Sequence, residues 1–152
     1  MSEPHIRPAT SADATAVKQI VDDAYRVYIP RIGKPPGPML DDYPARIANG
    51  SVSVVEDDHG TIAGIIVLVP DETHLLLDNI AVRSVHQGQG FGRALIVFAE
   101  QQAKKLGYAE IRLYTHEKMV ENIRLYTRIG FVETGRGHQD GYDRVFMSKA
   151  LT

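Results

Sequence analysis

The stretch Val85-His86-Gln87-Gly88-Gln89-Gly90-Phe91-Gly92-Arg93-Ala94-Leu95 decides how this chain is read. It follows the apolar run Leu75-Leu76-Leu77-Asp78-Asn79-Ile80-Ala81-Val82. It opens a segment with Phe91, Leu95, Phe98, Ala99 and Leu106 on one helical face, so it reads as a strand-to-helix turn. A glycine-rich turn entering a helix leaves backbone N–H groups unpaired and pointing one way. The helix dipole adds about half a positive charge there, and the turn therefore suits a phosphate group. Gly90 and Gly92 lack Cβ and let a diphosphate approach the backbone closely. The plainer reading is a connection that merely tolerates glycine.

Two common nucleotide motifs fail on this stretch. A P-loop needs Gly, four residues, then Gly-Lys-Ser/Thr, and no such lysine follows these glycines. The dinucleotide fingerprint needs a third small residue three positions after its second glycine. Counted from Gly88 that position is Arg93, and from Gly90 it is Leu95. The pattern that fits is Q-x-x-G-x-G, carried by Gln87, Gly90 and Gly92.

In this pattern the chain resembles the GNAT-family N-acetyltransferases, whose acetyl-CoA-binding signature is Gln or Arg, two residues, Gly, one residue, then Gly or Ala. The resemblance also takes in Ile6-Arg7-Pro8-Ala9-Thr10 and Asp13-Ala14, which look like a family N-terminus. Ile80-Ala81-Val82 looks like the end of the family's fourth strand. Asn122-Ile123-Arg124-Leu125-Tyr126-Thr127-Arg128-Ile129-Gly130-Phe131 looks like its late helix and following turn. These segments follow the family's order over nearly the whole chain.

At 152 residues the chain reads as one domain, 1–152, able to bury a core without disulfide or metal. A formal charge of −2 argues against a dedicated nucleic-acid binder, and no apolar stretch reaches the length of a membrane span. Met1-Ser2-Glu3-Pro4-His5 lacks the basic-then-apolar form of a signal peptide, so a cytoplasmic protein with no membrane partner is expected. With no cysteine there is no disulfide framework and no thiol for an acyl-enzyme. Acetyl transfer by such a chain would run directly in a ternary complex. The six histidines are scattered without metal-ligand spacing, and no metal is expected.

Residues 5–10 read as a strand, and Ser11 or Asp13 as the N-cap of a helix to about Ile29 with Val17, Ile20, Val21, Ala24 and Val27 buried. Residues 30–42, rich in Pro and Gly, read as an irregular functional loop, and a short helix follows, ending at Asn49-Gly50. Two strands, 52–56 and 61–69, form a hairpin around Asp57-Asp58-His59-Gly60. After the glycine turn and its helix, stopped at Gly107, come a strand at 111–115 and a helix carrying Met119, Ile123 and Tyr126. Gly130 stops that helix, and two strands near 131–135 and 142–149 close the sheet. The class is α/β with a mixed sheet. The resemblance implies a GNAT-like acyl-CoA N-acyltransferase fold, six to seven strands flanked by about four helices. It also implies that the fourth and fifth strands splay, leaving Ile80 and Val82 without a strand partner and open to the pantetheine arm of CoA.

The resemblance implies acetyl-CoA as donor and a primary amine as acceptor. With no strongly acidic face, and with Leu75-Leu76-Leu77 where some protein-acetylating relatives carry a glutamate, a small molecule is slightly favoured. A protein N-terminus or lysine as acceptor, or an acetyl-CoA-binding module without catalysis, are the alternatives, and a homodimer is a further implication. Acetyl-CoA contacts are expected from Ile80, Ala81, Val82, Gln87, Gly88, Gln89, Gly90, Phe91, Gly92, Arg93 and Asn122. Asn122 departs from the commoner pattern, in which an asparagine stands seven residues before the tyrosine, where this chain has Met119.

Transfer to an amine requires a neutral nucleophile, stabilisation of an oxyanion and a proton for the leaving thiolate. The resemblance gives Tyr126 the role of general acid; its other reading is a core tyrosine. Asp78 is the candidate base, against a plain bulge or turn carboxylate, with His116 behind it. A backbone N–H near Asn79 or Ile80 would serve the oxyanion. On the acceptor side, Tyr28, Arg31 and Asn79 are the expected contacts, with Tyr25 read as packing and Tyr43, His138, Asp140 and Tyr142 nearby.

Overall fold

Seven strands form one sheet in the computed structural model, which describes residues 4–152: β1 (His5–Pro8), β2 (Val52–Glu56), β3 (Ile62–Pro70), β4 (Leu75–Val82), β5 (Glu110–His116), β6 (Val132–Gln139) and β7 (Tyr142–Ala150). Their order is β1-β2-β3-β4-β5-β7-β6, and only β4 and β5 run parallel. The helices are α1 (Ala14–Tyr25), α2 (Ile29–Ile32), α3 (Tyr43–Ala48), α4 (Phe91–Lys105) and α5 (Val120–Ile129). This is the mixed architecture expected from the sequence, with α2 a single extra turn. No described helix is long and apolar enough to cross a membrane.

The sheet is covered on both faces, which is why β3 reads as an unbroken apolar run. Ala63 and Ile66 pack under α4 with Leu95, Ile96 and Ala99, while Ile65 and Val67 pack under α1 with Val17, Ile20 and Val21. The chain enters α1 through a tight anchor. Arg7 bonds both oxygens of Asp13 at 2.8 and 3.2 Å, and the Thr10 N–H donates to the same carboxylate at 2.7 Å. With Arg7 against it, the Asp13 carboxyl is held down at about 2.

The first helix departs from expectation. It ends at Tyr25, tightens into a 3-10 turn over Arg26–Tyr28 and restarts as α2. Pro30 is the cause, because it has no N–H and its ring opposes the carbonyl four residues back. The tightening turns Tyr28 inward and leaves Val27 57% exposed, against the expected burial. Leu106, also expected inside, is 55% exposed, because α4 has already ended beside Gly107, whose φ of 85° makes the stop. The span 30–42 is not wholly irregular: it holds most of α2 and a 3-10 turn at Gly37–Leu40.

Two irregularities in the sheet build the site. β4 pairs with β5 only at Leu75↔Ile111 and Leu76↔Arg112, after which the strands part. The β3–β4 register also shifts between Val67↔Asn79 and Leu68↔Leu77, so Asp78 is the extra residue of a bulge. The bulge reverses the side-chain alternation of β4. Leu75 and Leu77 face α4 before it, Ile80 and Val82 after it, and Asn79 and Ala81 turn toward α1.

Candidate active site

The glycine turn forms the floor of a groove. Main-chain hydrogen bonding pauses at Gln87 N–H, which donates to Ser84 O at 3.3 Å, and resumes at Ala94 N–H, which donates to Gly90 O at 3.0 Å. The N–H groups of residues 88–93 lie between, at the start of the fifteen-residue helix α4. Gly88 and Gly90 have φ of 79° and 88°, a conformation that side chains other than glycine resist. The turn is tied to the β2–β3 hairpin by His86, whose Nε2 lies 2.9 Å from Asp57 Oδ2, and His86 stacks edge-on against Phe91. This arrangement fits a diphosphate.

The groove, about 630 Å³, runs from this turn along the open edge of β4. Arg83 N–H bonds Ala63 O at 2.8 Å, which sets the phase of the β3–β4 ladder, so the main chain of Ile80 and Val82 faces the gap. Their carbonyls are met by side chains. Tyr25 Oη donates to Ile80 O at 3.2 Å and Gln87 Nε2 donates to Val82 O at 3.3 Å. Of the residues expected at acetyl-CoA, Ile80, Ala81, Val82, Gln87, Gly88, Gly90, Phe91, Gly92, Arg93 and Asn122 line the groove. Gln89 does not; its amide turns back to Val85 O. Val27 and Leu125 add apolar wall, which accounts for the exposure of Val27.

A second cavity, about 250 Å³, opens on the other side of the same gap, and Tyr25, Asn122 and Tyr126 line both. Tyr126 is held there by the end of α5. Phe131 N–H donates to Tyr126 O at 3.0 Å and Gly130 N–H to Thr127 O at 3.1 Å, a glycine stop with φ of 116° at Gly130. The stop folds the Phe131 ring against the Tyr126 ring, 5.8 Å away and tilted 66°. Burial pushes the Tyr126 phenol well up, and no hydrogen bond from its hydroxyl is formed among the described residues. The phenol therefore keeps its proton at neutral pH.

Asp78 and His116 both line this second cavity. Burial raises the Asp78 carboxyl, opposed by Arg46, whose Nη2 is 3.4 Å away, and by Tyr114, whose hydroxyl donates at 3.1 Å. His116 Nδ1 accepts from Lys118 N–H at 3.1 Å, which places the proton of the neutral ring on Nε2. Burial lowers the pKa of that ring. Asn79 also lines the cavity, but its amide is engaged on both sides, taking a bond from Tyr25 at 2.8 Å and giving one to Tyr43 at 2.8 Å. Tyr43 in turn donates to Pro38 O, so the span 30–42 is fixed to the bulged strand.

Tyr28 and Arg31, expected on the acceptor side, do not line the second cavity. Both line the groove, with Arg31 bonded to both oxygens of Glu121 at 2.8 Å and its guanidinium 5.2 Å over the Tyr28 ring. Among the residues of the second cavity not singled out from sequence are Arg46 on α3, Tyr114 on β5 and Arg144 on β7. Tyr114 and Arg144 alternate with buried positions along strands, the one signal they offered. The last turn closes over this cavity as Tyr142 donates to Pro35 O at 2.6 Å and Lys34 to Gly141 O at 2.6 Å. No cluster of His, Asp and Glu suited to a metal occurs among the described residues.

Residues 15–131 match the model of the acetyltransferase (GNAT) family. A rat protein described as N-acetyltransferase family 8 member 2 is 34% identical over 94 residues, which cover 58% of this chain and 41% of that protein. The chain thus spans less than half the length of that curated relative. Among solved structures, the ribosomal-protein-S18-alanine N-acetyltransferase of Escherichia coli superposes with a TM-score of 0.75 at 21% identity, covering 99% of this chain and 95% of the other. The paia N-acetyltransferase of Thermoplasma acidophilum, solved with coenzyme A, gives a TM-score of 0.74 at 20% identity, covering 99% and 100%. At these identities the likeness establishes the fold.

Proposed function

The chain belongs to the GNAT acetyltransferase family, and from that membership we propose that it transfers the acetyl group of acetyl-CoA to a small primary amine, directly and in a ternary complex. The observation that carries this reading is the meeting of the two cavities at Tyr126, whose hydroxyl stays protonated and has no hydrogen-bond partner among the described residues. Bound acetyl-CoA supplies the activated thioester carbonyl. Residues 88–93 hold its diphosphate through backbone N–H groups, and the open edge of β4 takes up its amide-bearing arm.

On the acceptor side, Asp78 removes a proton from the amine, and Tyr126 donates one to the departing sulfur, later regaining it from solvent. The Ile80 N–H faces the gap and is the backbone donor for the oxyanion, whereas Asn79 N–H belongs to the β3 ladder. Asn79 acts as a positioning residue through Tyr25 and Tyr43. The tie of residues 34 and 35 to the β6–β7 turn confines the acceptor side and supports a small amine over a protein chain.

The test follows free thiol released from acetyl-CoA with a panel of small amines and peptides. Small amines should be turned over, and Tyr126→Phe should reduce kcat by about a hundredfold or more with acetyl-CoA affinity nearly unchanged. Turnover undiminished in Tyr126→Phe would remove that residue from the mechanism. Tight binding of acetyl-CoA with no transfer to any amine would favour a binding module instead.

A further inference from the structure

The acceptor cavity holds two guanidinium groups in unequal circumstances. Arg46 is matched by two carboxylates, Asp41 at 3.1 Å and Asp78 at 3.4 Å. Arg144 is not. Its side chain is only 14% exposed, and its one ion pair among the described residues is at 3.8 Å to Asp140, which is itself 79% exposed. Its Nε is buried with no hydrogen-bond partner among the described residues. The guanidinium is fixed in place by aromatic rings, lying 4.2 Å over Tyr114 and 5.6 Å from Tyr142. A cation removed from water and left weakly paired is costly unless something else neutralises it.

The same Tyr114 ring whose face carries Arg144 donates its hydroxyl to Asp78 at 3.1 Å. The cavity therefore presents a carboxylate at the hydroxyl of one tyrosine and a weakly paired guanidinium over its face, with apolar wall from Ile32, Leu40 and Leu77. We propose that Arg144 receives a carboxylate borne by the acceptor, so that the amine acetylated here belongs to a small amino acid-like molecule, its nitrogen toward Asp78. A stacked, rigid guanidinium suits a planar carboxylate better than an ammonium would. The inference rests on the acetyl-transfer reading of this site, and it names the acceptor class that reading left open.

The experiment uses two arms on the whole protein. In the first, kcat/KM is measured for L-phenylalanine and L-phenylalaninamide with saturating acetyl-CoA, in wild type and Arg144→Gln. The ratio of acid to amide should fall about ten- to a hundredfold in the variant, the loss expected for a charged hydrogen-bonding partner. The different basicities of the two amines cancel in that comparison. In the second arm, calorimetry with CoA present compares N-acetyl-L-phenylalanine with its amide, and the wild type should bind the acid form at least about tenfold tighter. Arg144→Lys keeps the charge without the fork and should show a smaller drop in the same ratio, which preserves the test if the glutamine variant folds poorly. A ratio unchanged in both variants, or equal binding of acid and amide, overturns the inference while leaving acetyl transfer intact. Acid-selective binding with no turnover of any amine would overturn the transfer reading and leave the carboxylate site standing.

Discussion

At the scale of single residues, the proposed transfer rests on two buried groups, the Tyr126 phenol and the Asp78 carboxyl. Tyr126 is buried among rings, which favours the neutral phenol, and that is the form able to give a proton to sulfur. Asp78 is buried too, which raises its carboxyl, and Arg46 and Tyr114 partly offset the effect. The sign matters for rate. A base works only when ionised, so kcat/KM should rise with pH as Asp78 loses its proton, along a limb displaced upward from the ordinary carboxylate range. Asp78→Asn should abolish that limb and cut kcat by about a hundredfold or more, while acetyl-CoA still binds. A pH profile of the variant parallel to wild type would show that another group takes the proton. His116 is the rival, but its Nδ1 is engaged by Lys118 N–H and its Nε2 carries the proton, so it would first have to turn.

At the scale of elements, the glycine turn separates backbone demands from ligand demands. A Cβ at Gly90 would meet nothing within 4 Å, but φ there is 88°, so Gly90→Ala is strained by its own backbone. A loss of about 1–2 kcal/mol is expected on thermal or urea unfolding. At Gly92 a Cβ would point at Val82 Cγ2, 3.8 Å away in ordinary contact, with no unusual φ. Gly92→Ala should therefore be close to neutral in both stability and acetyl-CoA binding, which gives a physical reason why the signature accepts alanine at its last position. Equal losses from the two changes would refute this assignment of roles. The anchor before α1 is a second case. Asp13 has a folded pKa of about 2, below the unfolded value, so its contribution is complete above the unfolded pKa and is lost as pH falls through 2. Asp13→Asn should cost about 2 kcal/mol at pH 7, and the difference from wild type should vanish only below pH 2. These elements were legible because each has a local signal: glycines at the turn, Gly130-Phe131 after Tyr126, and Asp13 three residues after Thr10. The bulge at Asp78 had none, since it arises from how β3 and β4 register against each other. The long β6–β7 hairpin did have one, Asp140-Gly141 with φ of 54° and 83°, but reading β6 as ending near Gly135 left that pair in an open loop. Arg144 became meaningful only once β5 and β7 were paired, His116↔Arg144, bringing it over Tyr114.

At the scale of the whole molecule, the sheet is continuous in name and interrupted in fact. Four strands with α1 and α4 form one side, β5, β7 and β6 with α5 the other, and the strands that join them share only two paired positions. Core packing continues across the join: Leu75 and Leu77 of β4, Ile111 and Leu113 of β5, and Leu95 of α4 lie in one cluster with Tyr126 and Phe131. The gap thus costs backbone hydrogen bonds without dividing the core, and the N–H groups of Ile80 and Val82 face it, open to a ligand with amide carbonyls. Acetyl-CoA that completes this broken ladder must stabilise both sides together. At a hundredfold over Kd it should add about 2.7 kcal/mol and raise Tm by about 5–10 °C for a chain of this length, with NAD and ATP giving no comparable shift. Hydrogen exchange should slow at the N–H groups of Ile80 and Val82 and across residues 88–93, because these are the donors that face the gap and the groove. Slowing confined to residues 88–93 would mean that the diphosphate is held but the arm does not lie along β4. Transfer would then need a different path to Tyr126, such as the facing edge of β5, which the same parting leaves unpaired by β4 beyond Arg112.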